Sequence, residues 1–219
     1  MRVLCLAAHP DDEVLGAGGT LLAHRAAGDE TALLVATAAY EPNWSADSIR
    51  RKRDECLAAA KLLGVSAVRF LDLPTMHLNT LPAIELNQRV AEAVAELAPD
   101  VVYAPPLDDV NRDHTLLFEA ALVATRPTGA PGPRALYSFE IPTTTRFAPC
   151  SRWQANTYVD VAAFIDAKLE AMACYQTELR DPPHPRSLES IRVFARERGA
   201  AVGLRYAEAH MLIRQVSRW

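Results

Sequence analysis

Strand and helix patterns alternate along the first 124 residues, and that alternation restricts the chain to a small set of architectures. Short apolar runs at 2–8, 31–37, 68–73 and 101–104 read as strands, and helical patterns follow them at 13–27, 47–63, 83–97 and 114–124. A strand that is apolar on both faces is covered on both faces, and a helix between successive strands supplies the crossover that parallel pairing requires. The expected fold class is therefore α/β: a Rossmann-like, mostly parallel sheet with helices on both faces. Beyond residue 124 the pattern loosens. One strand is expected at 135–139 and helices at 161–175 and 187–198, with the proline- and threonine-rich stretch 127–149 as a lid or specificity loop.

No internal repeat or low-complexity linker divides the 219 residues, so a single domain over 1–219 is expected. The net charge of -4 gives no basic excess, which argues against a nucleic-acid partner. No apolar run approaches the ~20 residues of a bilayer span, so stable membrane insertion is not expected. The four cysteines, Cys5, Cys56, Cys150 and Cys174, form no CxxC pair. They suggest neither a zinc ribbon nor a disulfide framework, and read as reduced thiols in a cytoplasmic protein. No feature of the sequence specifies an oligomer.

The chemistry is concentrated in two runs, each just past a strand and just before a helix. The first is His9-Pro10-Asp11-Asp12-Glu13 after the strand 2–8, and the second is Asp108-Asp109-Val110-Asn111-Arg112-Asp113-His114 after the strand 101–104. In an open parallel sheet both runs reach the carboxyl edge, where ligands bind. Three carboxylates crowded beside a histidine repel one another unless a cation sits among them. His9, Asp12 and His114 make a two-histidine, one-carboxylate set with an open position, as a catalytic metal site requires. Taken singly, each run has a plainer explanation: Asp11, Asp12 or Asp113 could cap a helix N-terminus. Gly16, Gly18 and Gly19 could likewise cradle a phosphate in a nucleotide-binding protein, although three neighbouring carboxylates oppose that.

The run AHPDDE after the first strand, with Asp113-His114 after a later one, resembles the PIG-L (LmbE-like) family of metal-dependent de-N-acetylases. Further similarity lies in Glu55 with Leu63-Gly64-Val65, in Phe70-Leu71-Asp72-Leu73-Pro74, in Pro183-His184-Pro185-Arg186-Ser187 and in Tyr206-Ala207-Glu208-Ala209. The resemblance implies removal of acetyl from an N-acetylglucosamine-type conjugate, small or lipid-linked. It assigns His9, Asp12 and His114 to one divalent metal, zinc or alternatively iron(II). Water bound to that metal would be the nucleophile, Asp11 the general base, and Asp113 an orienting group behind a ligand histidine. Glu13 reads as a helix-start residue.

One departure matters. The family's second motif is commonly HxDH, and Asn111 occupies its first position here. An asparagine can donate a hydrogen bond but transfers no proton, so the catalytic assignment pairs Asp11 with Asn111: either Asn111 suffices, with protonated Asp11 returning its proton to the amine, or a group such as His184, His210 or Tyr137 takes the role of the missing histidine. On the substrate side, Trp44 in a loop, Arg53 in the basic run 50–53, His184 and His210 are the expected contacts. Two other functions compete: an amidase acting on a larger acyl group, and a metal- or nucleotide-binding protein without turnover.

Overall fold

The computed structural model describes residues 1–128 and 132–217. Residues 129–131, within the expected lid, lie outside the described residues. Seven strands form one sheet: β1 (Arg2–Ala7), β2 (Glu30–Ala38), β3 (Ala67–Pro74), β4 (Val101–Ala104), β5 (Ala135–Phe139), β6 (Thr157–Asp160) and β7 (Ala207–Gln215). Their order is β3-β2-β1-β4-β5-β7-β6. The first five run parallel, whereas β7 is antiparallel to both β5 and β6.

The helices are α1 (Asp12–Ala26), α2 (Ala46–Leu63), α3 (Ala83–Leu97), α4 (Arg112–Ala124), α5 (Ile165–Ala173) and α6 (Leu188–Ala200). The period of two in β1 explains why two hydrophobic cores are needed. Val3, Cys5 and Ala7 pack with Leu21 of α1, Leu63 of α2 and Leu169 of α5. Leu4, Leu6 and Ala8 point the other way, toward Val90 of α3 and Leu117 and Phe118 of α4. Each face therefore removes its own apolar area from water, and β1 has no polar side to expose.

Local chemistry fixes the helix ends. The Ser45 hydroxyl accepts a hydrogen bond from the Ser48 amide at the start of α2, and Gly64 ends that helix with φ 74°. The glycines of α1 serve packing and do not cradle a phosphate. A Cβ on Gly16 would lie 2.1 Å from the Phe139 ring, and one on Gly19 would lie 2.6 Å from Val161. Those distances let α1 lie tight against the sheet.

The second half departs from expectation in three places. β6 and β7 have no counterpart among the expected strands, and α5 begins at Ile165 because the Val161 amide still donates to the Tyr206 carbonyl. β7 concealed itself by burying polar residues. Glu208 accepts from the amides of Gly19 and Thr20 at 2.8 and 2.7 Å and pairs with Lys168 Nζ at 2.6 Å, while His210 meets the Thr20 hydroxyl at 2.8 Å. A strand whose inward positions are Glu and His carries no apolar alternation to detect.

Candidate active site

The order of the sheet reverses between β1 and β4, and the crevice above such a switch point is where open α/β sheets bind ligands. His9 emerges from β1 and His114 lies in the first turn of α4, after β4. His9 Nδ1 and His114 Nε2 are 3.2 Å apart, and Asp12 Oδ2 lies 3.5 Å from the first and 3.4 Å from the second. Tetrahedral donors at about 2.0–2.1 Å from an ion stand roughly 3.3–3.4 Å from one another. These three atoms already form that triangle, so the donor set fits a divalent metal. It is the one group of its kind among the described residues.

The outward nitrogens of the two rings are held from behind. His9 Nε2 meets Asp113 Oδ2 at 3.1 Å, and His114 Nδ1 faces Asp109 Oδ1 at 3.2 Å. Asp113 fixes the His9 ring by that bond, Asp109 faces the His114 ring as a charge without a directed hydrogen bond, and in both rings the other nitrogen points into the triangle. Asp113 is itself anchored by the amides of Met76 and Leu78, and Asp109 by the hydroxyls of Thr144 and Thr145. Those threonines tie the later part of the stretch 127–149 to the second cluster. The supporting role of Asp109 was not foreseen, and Asp113 supports the histidine of the opposite run.

Electrostatics reflect this crowding. Burial alone would lower the pKa of His9, but hydrogen bonds to Asp113 and Asp12 outweigh it and hold the metal-free ring up at about 9. His114 is likewise held at about 10 by Asp12 and Asp109 despite its burial. Asp12 is also buried, and the two imidazoles keep its carboxyl well below the usual range. The cap explanation for these aspartates fails, because Asp12 Oδ2 accepts the His9 amide 2.8 Å away and Asp11 makes no side-chain cap.

Asp11 sits at φ 108°, a region that costs a non-glycine residue about 1–3 kcal/mol. Glu13 helps to hold that turn. Its Oε2 accepts the Asp11 amide at 3.2 Å, and its other oxygen takes the Tyr175 hydroxyl. Burial raises Glu13 to about 7. It also raises Asp11, with the Arg186 guanidinium opposing the shift from 3.1 Å away.

A cavity of about 260 Å³ opens beside the triangle, lined by His9, Asp11, Trp44, Lys52, Asn111, Glu178 and Arg186 with smaller neighbours. A larger hollow of about 580 Å³ lies at the opposite edge of the sheet, beside Arg2 and Arg134, far from both runs in the fold. The site thus gathers His9, Asp11, Asp12, Asn111, Asp113 and His114 as the sequence suggests, with Trp44 at its wall. Asn111 caps α4 through Oδ1, which accepts the Asp113 amide at 3.0 Å, and its Nδ2 rests 3.7 Å from Met76 Sδ.

Three expected contacts lie elsewhere. Arg53 is turned toward solvent, where it pairs with Asp72 at 3.1 Å and covers the Phe70 ring. His184 is exposed, with Nδ1 accepting the Arg186 amide. His210 is buried on β7 against Thr20 and Tyr103, and burial lowers its pKa to about 4. Tyr137 stacks on Tyr103 and does not line the cavity. The charged wall belongs to Lys52, Glu178 and Arg186, with Lys52 and Arg186 both bonded to Glu178. Helical spacing carried a signal for Lys52: it is four residues before Cys56 and eight before Ala60, both in the buried stripe of α2.

Fold and site together define an α/β protein with a two-histidine, one-carboxylate centre at the switch point of a Rossmann-like sheet. The profile of one family matches residues 4–125, and the chain belongs to that family: PIG-L, described as GlcNAc-PI de-N-acetylase. A 1D-myo-inositol 2-acetamido-2-deoxy-alpha-D-glucopyranoside deacetylase from Kineococcus radiotolerans is 30% identical, over 60% of this chain and 47% of its own. The chain therefore spans about half the length of that curated relative. Among solved structures, GalB, the 4-carboxy-2-hydroxymuconate hydratase from Pseudomonas putida KT2440, superimposes with TM-score 0.81 at 21% identity, covering 100% of this chain and 98% of its own. The N,N'-diacetylchitobiose deacetylase from Pyrococcus horikoshii gives 0.77 at 22% identity, covering 97% and 83%. A hydratase and a deacetylase on one scaffold show that this fold does not by itself choose the reaction. Among the described residues, no helix is long and apolar enough to cross a membrane.

Proposed function

We propose that this chain is a metal-dependent deacetylase that hydrolyses the acetamide of an N-acetylglucosamine-type conjugate, small or lipid-linked. The observation that carries the reading is the convergence of His9 Nδ1, Asp12 Oδ2 and His114 Nε2 beside a buried, unbonded Asp11 carboxylate oxygen. Family membership supports it. Zinc suits the spacing of the three donors, and iron(II) takes the same donor set. A cation held there would polarise the acetyl carbonyl and acidify water.

The remaining work falls to side chains. Asp11 accepts the proton of the attacking water, and its raised pKa makes it a better base than a surface aspartate. Protonated, it then delivers that proton to the departing amine. Asn111 lines the cavity but moves no proton, so both transfers run through Asp11. Asp113 keeps His9 oriented. The cavity, near the lower end of the ~300–1,000 Å³ usual for small-molecule sites, suits one sugar ring, with Trp44 as a stacking wall.

Primary-amine release from free N-acetylglucosamine, its malate and inositol glycosides and a lipid-linked form tests the reading, with and without chelator. Chelator-sensitive release of acetate from one of them is expected. Faster release of a longer acyl group would make the protein an amidase of broader acyl range. No release from any conjugate by fully metal-loaded chain would leave a binding protein.

A further inference from the structure

When water adds to an acetyl carbon, the carbonyl oxygen takes on negative charge, and a hydrolytic site gains most from a donor already aimed at it. Beside Asp11, the strong side-chain donors lining the cavity are Lys52, Asn111 and Arg186. Lys52 Nζ is held by Glu178, and Asn111 is drawn toward its helix cap and Met76. Arg186 differs. Its Nη1 donates to Glu178 Oε2 at 2.9 Å, which fixes the guanidinium plane. Its Nε stands 3.1 Å from Asp11 Oδ2, yet that approach lies outside hydrogen-bond geometry. Both atoms are buried with no directed partner, and among the described residues the guanidinium's hydrogen bond is the one from Nη1, not from Nη2. A guanidinium anchored on one side and left with unshared N–H groups beside a cavity is a donor that a ligand can use.

We propose that Arg186 is a catalytic residue whose Nη2 N–H groups bind the carbonyl oxygen as it becomes anionic. The proposal rests on the deacetylase reading. In the first step the water oxygen bonds to the acetyl carbon, the carbonyl π pair moves onto oxygen beside Arg186, and one water proton passes to Asp11. In the second, that pair re-forms the carbonyl, the C–N bond breaks, and the nitrogen takes the proton from Asp11. Acetate and free amine result. Because a guanidinium stays charged at every working pH, Arg186 serves the oxygen without exchanging a proton. It also faces Asp11, so one cation stabilises the proton acceptor and the oxygen that gains charge.

The test uses the metal-loaded full chain with Arg186→Gln and Arg186→Lys. In Arg186→Gln, kcat is expected to fall by roughly 10²–10³ with KM within about threefold and metal content unchanged. Arg186→Lys should recover part of that loss, and added guanidinium, but not urea, should raise the rate of Arg186→Gln. A second readout is independent of turnover: acetate, whose carboxylate imitates the anionic oxygen, should bind Arg186→Gln about tenfold or more weakly by calorimetry. Unchanged kcat, a loss confined to KM, or equal acetate affinity overturns the role of Arg186. Absence of amine release by the wild-type chain overturns the deacetylase reading instead, and the acetate arm still judges Arg186. If Arg186→Gln does not fold, the same comparisons with Arg186→Lys decide.

Discussion

Two groups of charges are buried against α1, and they are built on opposite plans. At its start, Asp11, Asp12, Asp109 and Asp113 crowd two imidazoles and one guanidinium, with lone pairs converging on a common point. Against its middle, Lys168 and Glu208 neutralise each other, and Lys168 also donates to the Leu15 carbonyl while Glu208 takes two helix amides. The first group carries excess negative charge and donors directed at one another, an arrangement only a proton or a cation settles. The second is complete in itself. Burial of charge therefore marks function where the charges remain unbalanced, and marks scaffold where they cancel.

Breaking each group should separate the two plans. Asp12→Ala is expected to reduce bound metal from one per chain to near zero and to lower amine release by at least about 10³-fold, since Lewis acidity contributes several kcal/mol. The metal-free chain should also lose some stability at neutral pH, because Asp12 pairs with both imidazoles and accepts the His9 amide. Lys168→Met should spare the metal and act on stability alone. Leaving Glu208 buried without its partner costs about 3–5 kcal/mol, which at this chain length lowers Tm by roughly 10 °C, with metal stoichiometry unchanged. Metal analysis and thermal melts of the two variants suffice; metal lost from Lys168→Met would show that the groups are one network.

The groups should also titrate in opposite directions. His210 is held near 4 by burial, against 6.5 when unfolded, so its contribution is present above 6.5 and disappears as pH falls toward 4. That contribution amounts to as much as about 3 kcal/mol. His9 and His114 are held at about 9 and about 10 in the metal-free chain, so theirs is present below 6.5 and disappears as pH rises through 9 to 10. Urea melts of the chelated chain should therefore show stability falling on both sides of a maximum near pH 6.5. His210→Gln should remove the acid limb alone. Saturating metal should abolish the alkaline limb and steepen the acid one, because metal binding requires the imidazoles unprotonated. An alkaline limb that survives metal loading would mean that these imidazoles are not the ligands.

The first group was legible in the sequence because its members sit within a few residues of strand ends, where the α/β winding fixes their destination. His9 and Asp12 follow β1, Asp113 and His114 follow β4, and Rossmann-type order makes those strands neighbours. The second group was not legible. Lys168 and Glu208 stand 40 residues apart on a helix and an unrecognised strand, and their pairing depends on β7 running antiparallel beside β5. Arg186 lies in the irregular stretch between α5 and α6, where no periodicity says which way a side chain points. The choice of Arg53 over Lys52 was different, since helical spacing had already placed Lys52 on the inward side.

That last distinction gives the finest test of where the site ends and the scaffold begins. Arg53 and Asp72 are both about half exposed, and such pairs contribute about 0–1 kcal/mol. Arg53→Ala should leave KM and kcat unchanged and move Tm by no more than a few degrees. Lys52 instead shares Glu178 with Arg186, so its removal leaves Glu178 to draw on the guanidinium alone. Lys52→Ala should therefore reduce kcat several-fold with KM little changed, in the direction of Arg186→Gln but far smaller. Steady-state kinetics on the conjugate that the wild type deacetylates fastest will register the difference. If Arg53→Ala proves the more damaging, the substrate extends over the outer face of α2, and the wall formed by Lys52, Glu178 and Arg186 supports the fold alone.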